Sequence, residues 1–277
     1  MSSLWLSIPL VIQLAIPTKG NAGQWNYDDR HRNELCFRGK RQSPIDLDIG
    51  KAIVMRWAPI SFHHYDAHGF VTVVKDGQKG GGLRGKYYLQ QFHFHWSGND
   101  LTGSEHTIGR LHYPMEGYNA STAQHAPETI AVVAVLLQVA KRGQAFMDLK
   151  EAFVSTNITG SKRESVEYTL KPLLPKDTAT FFRYEGSLTT PPCTEGVIWT
   201  VLVEPNYVSA QQNYLSHEGR CLQQNWREIQ PLNGRPIYLN KLKSISERMS
   251  ISSPQINNKS NLSGNFLDGI MFDFPEE

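Results

Sequence analysis

The sequence lacks an excess of charge of either sign. Its 28 Lys and Arg face 26 Asp and Glu, a net charge of +2, too even to point to a nucleic-acid partner. It lacks any run of 18 apolar residues, so no membrane span is expected. Repeats, low-complexity blocks and long internal linkers are also missing. With 40% hydrophobic and 19% charged residues, a disordered, collagenous or coiled-coil chain is excluded. Cysteine is sparse, and its count of 3 leaves one thiol over if the other two pair. No nucleophile–base pair stands out, which leaves a peptidase or other hydrolase with little support. What is present is a 277-residue chain carrying 10 His, long enough for one large domain or two small ones around a sizeable core.

Leu4 to Ile16 is an uncharged apolar run, followed by Pro17, Lys19 and Gly20. It is too short to cross a membrane and fits the core of a signal peptide, with cleavage near Ala15 to Ala22 and a leader over residues 1–22. A buried strand or helix is the competing reading of the same run. Four sequons, at Asn119, Asn157, Asn258 and Asn261, agree with secretion into an extracellular, oxidising compartment and with a glycoprotein. From Lys241 the composition turns to Ser, Asn and Lys. One domain is therefore expected over residues 24–240, with a loosely ordered tail over 241–277.

Strand signals dominate that domain. Lys86 to Trp96 (KYYLQQFHFHW) alternates in type, which puts Leu89, Gln91, His93 and His95 on one face and Phe92, Phe94 and Trp96 on the other. Thr129 to Val139 is almost wholly apolar and β-branched, as a central strand covered on both faces would be. Phe70 to Val74 and Val197 to Val203 read as further strands. Two short helices are expected, one over Gln144 to Ser155 and one capped by Ser209. The fold class is mainly β within α+β: a large twisted sheet with short peripheral helices.

His93 and His95 are two apart on a strand, so their imidazoles share a face at the spacing of two ligands on a tetrahedral zinc ion. Two unrelated polar residues on a solvated face would look the same. Ser104-Glu105-His106-Thr107 follows, and further on Ser187-Leu-Thr-Thr-Pro-Pro-Cys193, where two prolines stiffen a loop bearing two threonines.

In order, Trp25-x-Tyr27, Arg41-Gln-Ser-Pro-Ile-Asp46, Gln91-Phe-His-Phe-His-Trp96, Ser104-Glu-His-Thr107, Tyr184-Glu-Gly-Ser-Leu-Thr-Thr-Pro-Pro-Cys193 and Trp199 resemble an α-class carbonic anhydrase of the secreted type over about residues 24–240. The resemblance implies one domain on a ten-stranded, mainly antiparallel sheet. It implies a zinc lyase that reversibly hydrates carbon dioxide to bicarbonate by zinc-bound hydroxide, the metal lowering the pKa of its water to about 7. It implies His93 and His95 as zinc ligands, and Thr189 as the hydroxyl that orients the hydroxide, with Glu105 as its buried acceptor. Thr190, Val132, Val197, Leu188 and Trp199 would line the substrate site. Gln91 and Glu116 would orient ligand imidazoles, and His106 and Tyr184 would be buried structural groups. Cys36 and Cys193 would form a disulfide steadying the threonine loop, with Cys221 left over.

The resemblance breaks where the third ligand belongs. That histidine should stand in Glu-x-His-x-x-His, but Tyr113-Pro-Met-Glu116 runs directly into Gly117-Tyr118-Asn119-Ala120. The histidine-bearing strand is read as missing, with His112 and His125 as distant substitutes. Phe70 falls at the usual proton-shuttle position, leaving nearby His68 as the candidate relay. The alternative to a zinc lyase is a non-catalytic, carbonic-anhydrase-related secreted binding module with a protein partner.

Overall fold

The computed structural model describes residues 11–12, 34–66, 72–74, 81–97, 100–123, 130–146, 169–209, 216–217, 220–221 and 226–241. All of them lie in the first of two compact units, Met1–Leu242; the second is Lys243–Glu277. The strands are β1 (Val11–Ile12), β2 (Asp46–Leu47), β3 (Ile53–Met55), β4 (Ser61–His63), β5 (Thr72–Val74), β6 (Tyr87–Trp96), β7 (Thr107–Ile108), β8 (Met115–Thr122), β9 (Ile130–Val139), β10 (Phe181–Ser187), β11 (Glu195–Val208), β12 (Ser216–His217), β13 (Arg220–Cys221) and β14 (Tyr238–Asn240). One described α-helix, α1 (Glu34–Arg38), carries Cys36.

Ten strands form one sheet in the order β3-β14-β10-β11-β9-β8-β6-β5-β4, with β1 alongside β6. The pairings are antiparallel except β1 with β6, β9 with β11 and β3 with β14. The expected large, mainly antiparallel sheet is therefore present. Val11–Ile12, from the N-terminal apolar run, lies parallel to Gln91–Phe92.

β9 shows why the sheet has two cores. Its residues are apolar on both faces, so Ala131, Val133, Val135 and Leu137 join one buried cluster while Val132, Ala134 and Leu136 join another. The first cluster includes Phe92, Phe94, Phe146 and Phe181; the second includes Tyr118, Phe182, Tyr184, Val197 and Trp199. The imidazoles belong to the second side, since β6 and β8 place His93 and His95 opposite Tyr118 and Glu116.

Three expectations need correction here. The strand after Met115 is not missing: β8 runs from Met115 to Thr122 and pairs with β6 on one edge and β9 on the other. Glycine and asparagine are weak strand formers, but burial between two long apolar neighbours overrides local propensity. Leu89 does not share the face of His93, because the β6 register shifts between Leu89 and Gln91. A bulge adds one residue and reverses the alternation, so Tyr87 and Leu89 pack with Phe92 and Phe94. Asn119 is 3% exposed in mid-sheet, so its sequon is not on a surface loop, and a glycan there is incompatible with this fold. The first expected helix opens as a turn at Ala145–Phe146, and its remainder lies outside the described residues, as does the helix after Ser209. The sequons at Asn157, Asn258 and Asn261 also lie outside them.

Candidate functional site

Four strands and two loops bring the site together. β6 carries His93 and His95, β8 carries Glu116 and Tyr118, and β10 and β11 supply Tyr184, Val197 and Trp199. The Gly103–His106 loop is held against β8 by Gly103 and Ser104 amides that donate to Tyr113 O at 2.9 and 2.8 Å. A Cβ on Gly103 would fall 1.6 Å from Pro114 O, so only glycine permits this approach.

His93 and His95 stand with ring centroids 5.0 Å apart. Burial, helped by the neighbouring His95, pulls the His93 imidazole down to about 3, so it is neutral with a free lone pair at neutral pH. His95 is 1% exposed, and its Nδ1 lies 3.5 Å from Glu105 Oε1. The third side of this pocket is Tyr118, whose ring centroid is 5.4 Å from His93 and 4.7 Å from His95.

Behind the tyrosine lies a buried polar chain. Glu116 Oε2 accepts from the amides of Glu105 and His106, both at 2.8 Å. Glu116 Oε1 is 2.9 Å from His106 Nδ1. His106 Nε2 is 2.6 Å from the Tyr184 hydroxyl, which donates to Ser43 Oγ at 2.8 Å. Burial alone would raise the Glu116 carboxyl, but His106's charge and hydrogen bonds outweigh it and hold it below its ordinary value. The Tyr118 hydroxyl enters the same chain, 3.1 Å from His106 Nδ1 and donating to Glu116 Oε2 at 3.3 Å. Burial first, then the charges of Glu105 and Glu116, push this phenol well above its ordinary value, so it stays protonated.

These contacts decide the fit to a metal. Histidine has two ring nitrogens, one for a metal and one for an outer carboxylate. Tyrosine has one polar atom, and here that atom is committed to Glu116 and His106. Two imidazoles and a protonated phenol do not make the three-donor set a catalytic zinc needs. Among the described residues no group of three His, Cys, Asp or Glu side chains is placed to hold a metal ion. The donors present do not fit a three-ligand zinc centre.

The other expected site residues are spread over several elements. Glu105 is fully buried, with Oε1 accepting the Arg227 amide at 2.8 Å. Val132, Val197 and Trp199 are buried in the cluster that contains Tyr118, with Leu188 packed against it. Thr189 is buried and Thr190 partly so, in the loop where the Cys193 amide donates to Thr190 O at 2.9 Å. Gln91 pairs across to Ala120. His112 is engaged elsewhere, its Nδ1 2.8 Å from Ser104 O and its ring 5.0 Å from Trp226. His68, Phe70 and His125 lie outside the described residues.

Cys36 and Cys193 form a disulfide that ties α1 to the threonine loop. Arg227 reinforces the tie: its guanidinium donates to Gln42 Oε1, Ser43 O and Cys36 O at 2.9, 2.7 and 2.5 Å. Nothing in the local sequence pattern singles out Arg227. Tyr118 could have been found, since it stands two residues after Glu116, where Glu-x-His requires histidine. Replacing Cys36 by serine is expected to lower stability by about 2–5 kcal/mol, measured by urea unfolding, with dithiothreitol producing a similar loss in the parent protein.

Comparison with known proteins agrees with this architecture. A family model for eukaryotic-type carbonic anhydrases matches residues 21–241. A Caenorhabditis elegans protein provisionally named carbonic anhydrase 5 is 35% identical over 279 residues, covering 86% of this chain and 89% of that protein. Another, provisionally named carbonic anhydrase 3, is 36% identical over 240 residues, covering 78% and 97%. Carbonic anhydrase 6 of Canis lupus familiaris is 29% identical over 295 residues, covering 90% and 92%.

Proposed function

The chain belongs to the eukaryotic-type carbonic anhydrase family, and we propose that within it this polypeptide is a binding module without a hydrating zinc centre. Members of the family are generally zinc-dependent and act on carbon dioxide and bicarbonate. The reading rests on one observation: the side chain at the third corner of the histidine pocket is Tyr118, and its single polar atom is spent on Glu116 and His106. The fold, the apolar wall of Val132, Val197 and Trp199 and the buried carboxylates remain, so the chain offers a formed domain surface to a protein partner.

A second reading, a zinc lyase that reversibly hydrates carbon dioxide, is favoured by the paired imidazoles of His93 and His95 and by the buried Glu105 and Thr189. The two readings separate in one experiment on the purified protein. Zinc is measured by mass spectrometry and hydration by stopped flow with and without a sulfonamide. The binding-module reading expects less than about a tenth of an equivalent of zinc after dialysis, given the lost donor, and no sulfonamide-sensitive rate. Near-stoichiometric zinc with such a rate would sink it.

We propose that the chain is exported, a reading supported by the N-terminal apolar run and the disulfide. The leader is assigned to residues 1–22, ahead of a domain over 24–240 and a tail over 241–277. N-terminal sequencing of protein collected from the medium of expressing cells should start near Gln24; a chain still carrying Leu4 would overturn the assignment. Cleavage there also removes Val11–Ile12 from the edge of β6.

A further inference from the structure

The histidine pocket is not the only place where a charged group is buried. Arg183 projects from β10 on the face opposite Tyr184, among the residues of the first core cluster. It is 6% exposed. The guanidinium lies 5.3 Å from the Phe181 ring centroid and 5.8 Å from that of Trp57, which stack on each other at 6.4 Å. Nε donates to Thr200 Oγ1 at 3.1 Å. Nη2 is buried without a hydrogen-bond partner, and among the described residues no carboxylate pairs with this cation.

Such an arrangement is unusual, because buried cations are paired or their charge is suppressed. Suppression is ruled out for arginine: burial brings this group down only to about 10, so it remains charged at neutral pH. The two aromatic faces stabilise the cation from the sides but supply no acceptor to Nη2. Gly81 packs beside that nitrogen, and a Cβ built there would lie 3.5 Å from it and 2.4 Å from Ile60 Cγ1, so glycine lets the backbone approach the guanidinium.

We propose that Arg183, boxed by Trp57, Phe181 and Thr200, is the anchor of a site for a small monovalent anion on the sheet face opposite the histidine pocket. The anion accepts from Nη2 and neutralises a buried charge that no carboxylate among the described residues pairs with. Thr200 fixes the edge of the guanidinium, and the rings exclude larger or strongly hydrated polyanions. The site is independent of whether the histidine pocket holds a metal.

The test uses full-length protein in sodium gluconate, exchanged stepwise for sodium bromide at constant ionic strength, with thermal unfolding as the readout. Binding to the native state alone predicts a rise of roughly 2–4 °C in Tm at bromide well above its Kd. The rise should persist in Arg183→Lys and vanish in Arg183→Met, which keeps the volume and removes the charge. A bromide-soaked crystal should show an anomalous peak beside Nη2. An equal rise in Arg183→Met, or no rise in the parent protein, would overturn the proposal. Should Arg183→Met fail to fold, the crystal decides: no bromide at Arg183 rejects the site.

Discussion

Replacing Tyr118 by histidine is expected to raise zinc affinity by roughly a thousand-fold or more, since a first-shell donor outweighs the 10- to 100-fold of an outer partner. The geometry for this is already in place. Position 118 pairs directly with His93 across β6 and β8, and its side chain already reaches Glu116 and His106 on its outer side. A histidine there turns one nitrogen to Glu116 and the other to the space between His93 and His95. Equilibrium dialysis with a zinc-sensitive dye measures the gain, and the visible spectrum of a cobalt-substituted sample reports the coordination number. Equal zinc binding by the parent and the variant would show that Tyr118 does not control the pocket. Tyr118→Phe provides the control: it removes the hydroxyl, restores no nitrogen and should leave zinc binding as weak as in the parent.

The second large effect is on stability. Glu116→Ala strips the acceptor from two backbone amides and from His106 in one step. Because all three groups stay buried, the loss should be about 3–5 kcal/mol, as for a buried ion pair broken on one side. Urea unfolding at neutral pH measures it, and a variant within experimental error of the parent would refute the account. The sign with pH follows from the direction of the shift. Glu116 titrates below its ordinary 4.5 in the folded chain, so its contribution is complete above that value. It is lost as pH falls from there through the folded pKa. The parent should therefore lose stability in acid more steeply than Glu116→Ala.

The sequence made the sheet legible where burial and propensity agree. β9 is apolar but for Gln138 and rich in β-branched residues, and β6 alternates around its histidines, so both stand close to where the residues place them. β8 was illegible for the opposite reason. Its Gly117, Asn119 and Ser121 are poor strand residues, and only two flanking strands, not local chemistry, hold them extended. Leu89 was misplaced because a bulge leaves no composition signature when the inserted residue is an ordinary Gln90. At the site, the paired imidazoles could be read from a spacing of two. Tyr118 required recognising that the same spacing from Glu116 survives a change of residue type. Arg227 could not be read at all: it reaches Gln42, Ser43 and Cys36 across more than 180 residues of chain, a contact that exists only after folding.

The irregularity in β6 also determines how tolerant the strand is to change. It divides the strand into two stretches of independent phase: Tyr87 to Leu89 before it, and Gln91 to Trp96 after it. A change of loop length before β6 can be taken up by sliding or resolving the extra residue, without rotating the imidazoles to the opposite core. The same change placed after Gln91 would turn both histidines into the phenylalanine cluster and bring Phe92 and Phe94 to the pocket. The approach to β6 can therefore change in length with little effect on the pocket, while the number of residues from Gln91 to His95 sets the face on which the imidazoles stand.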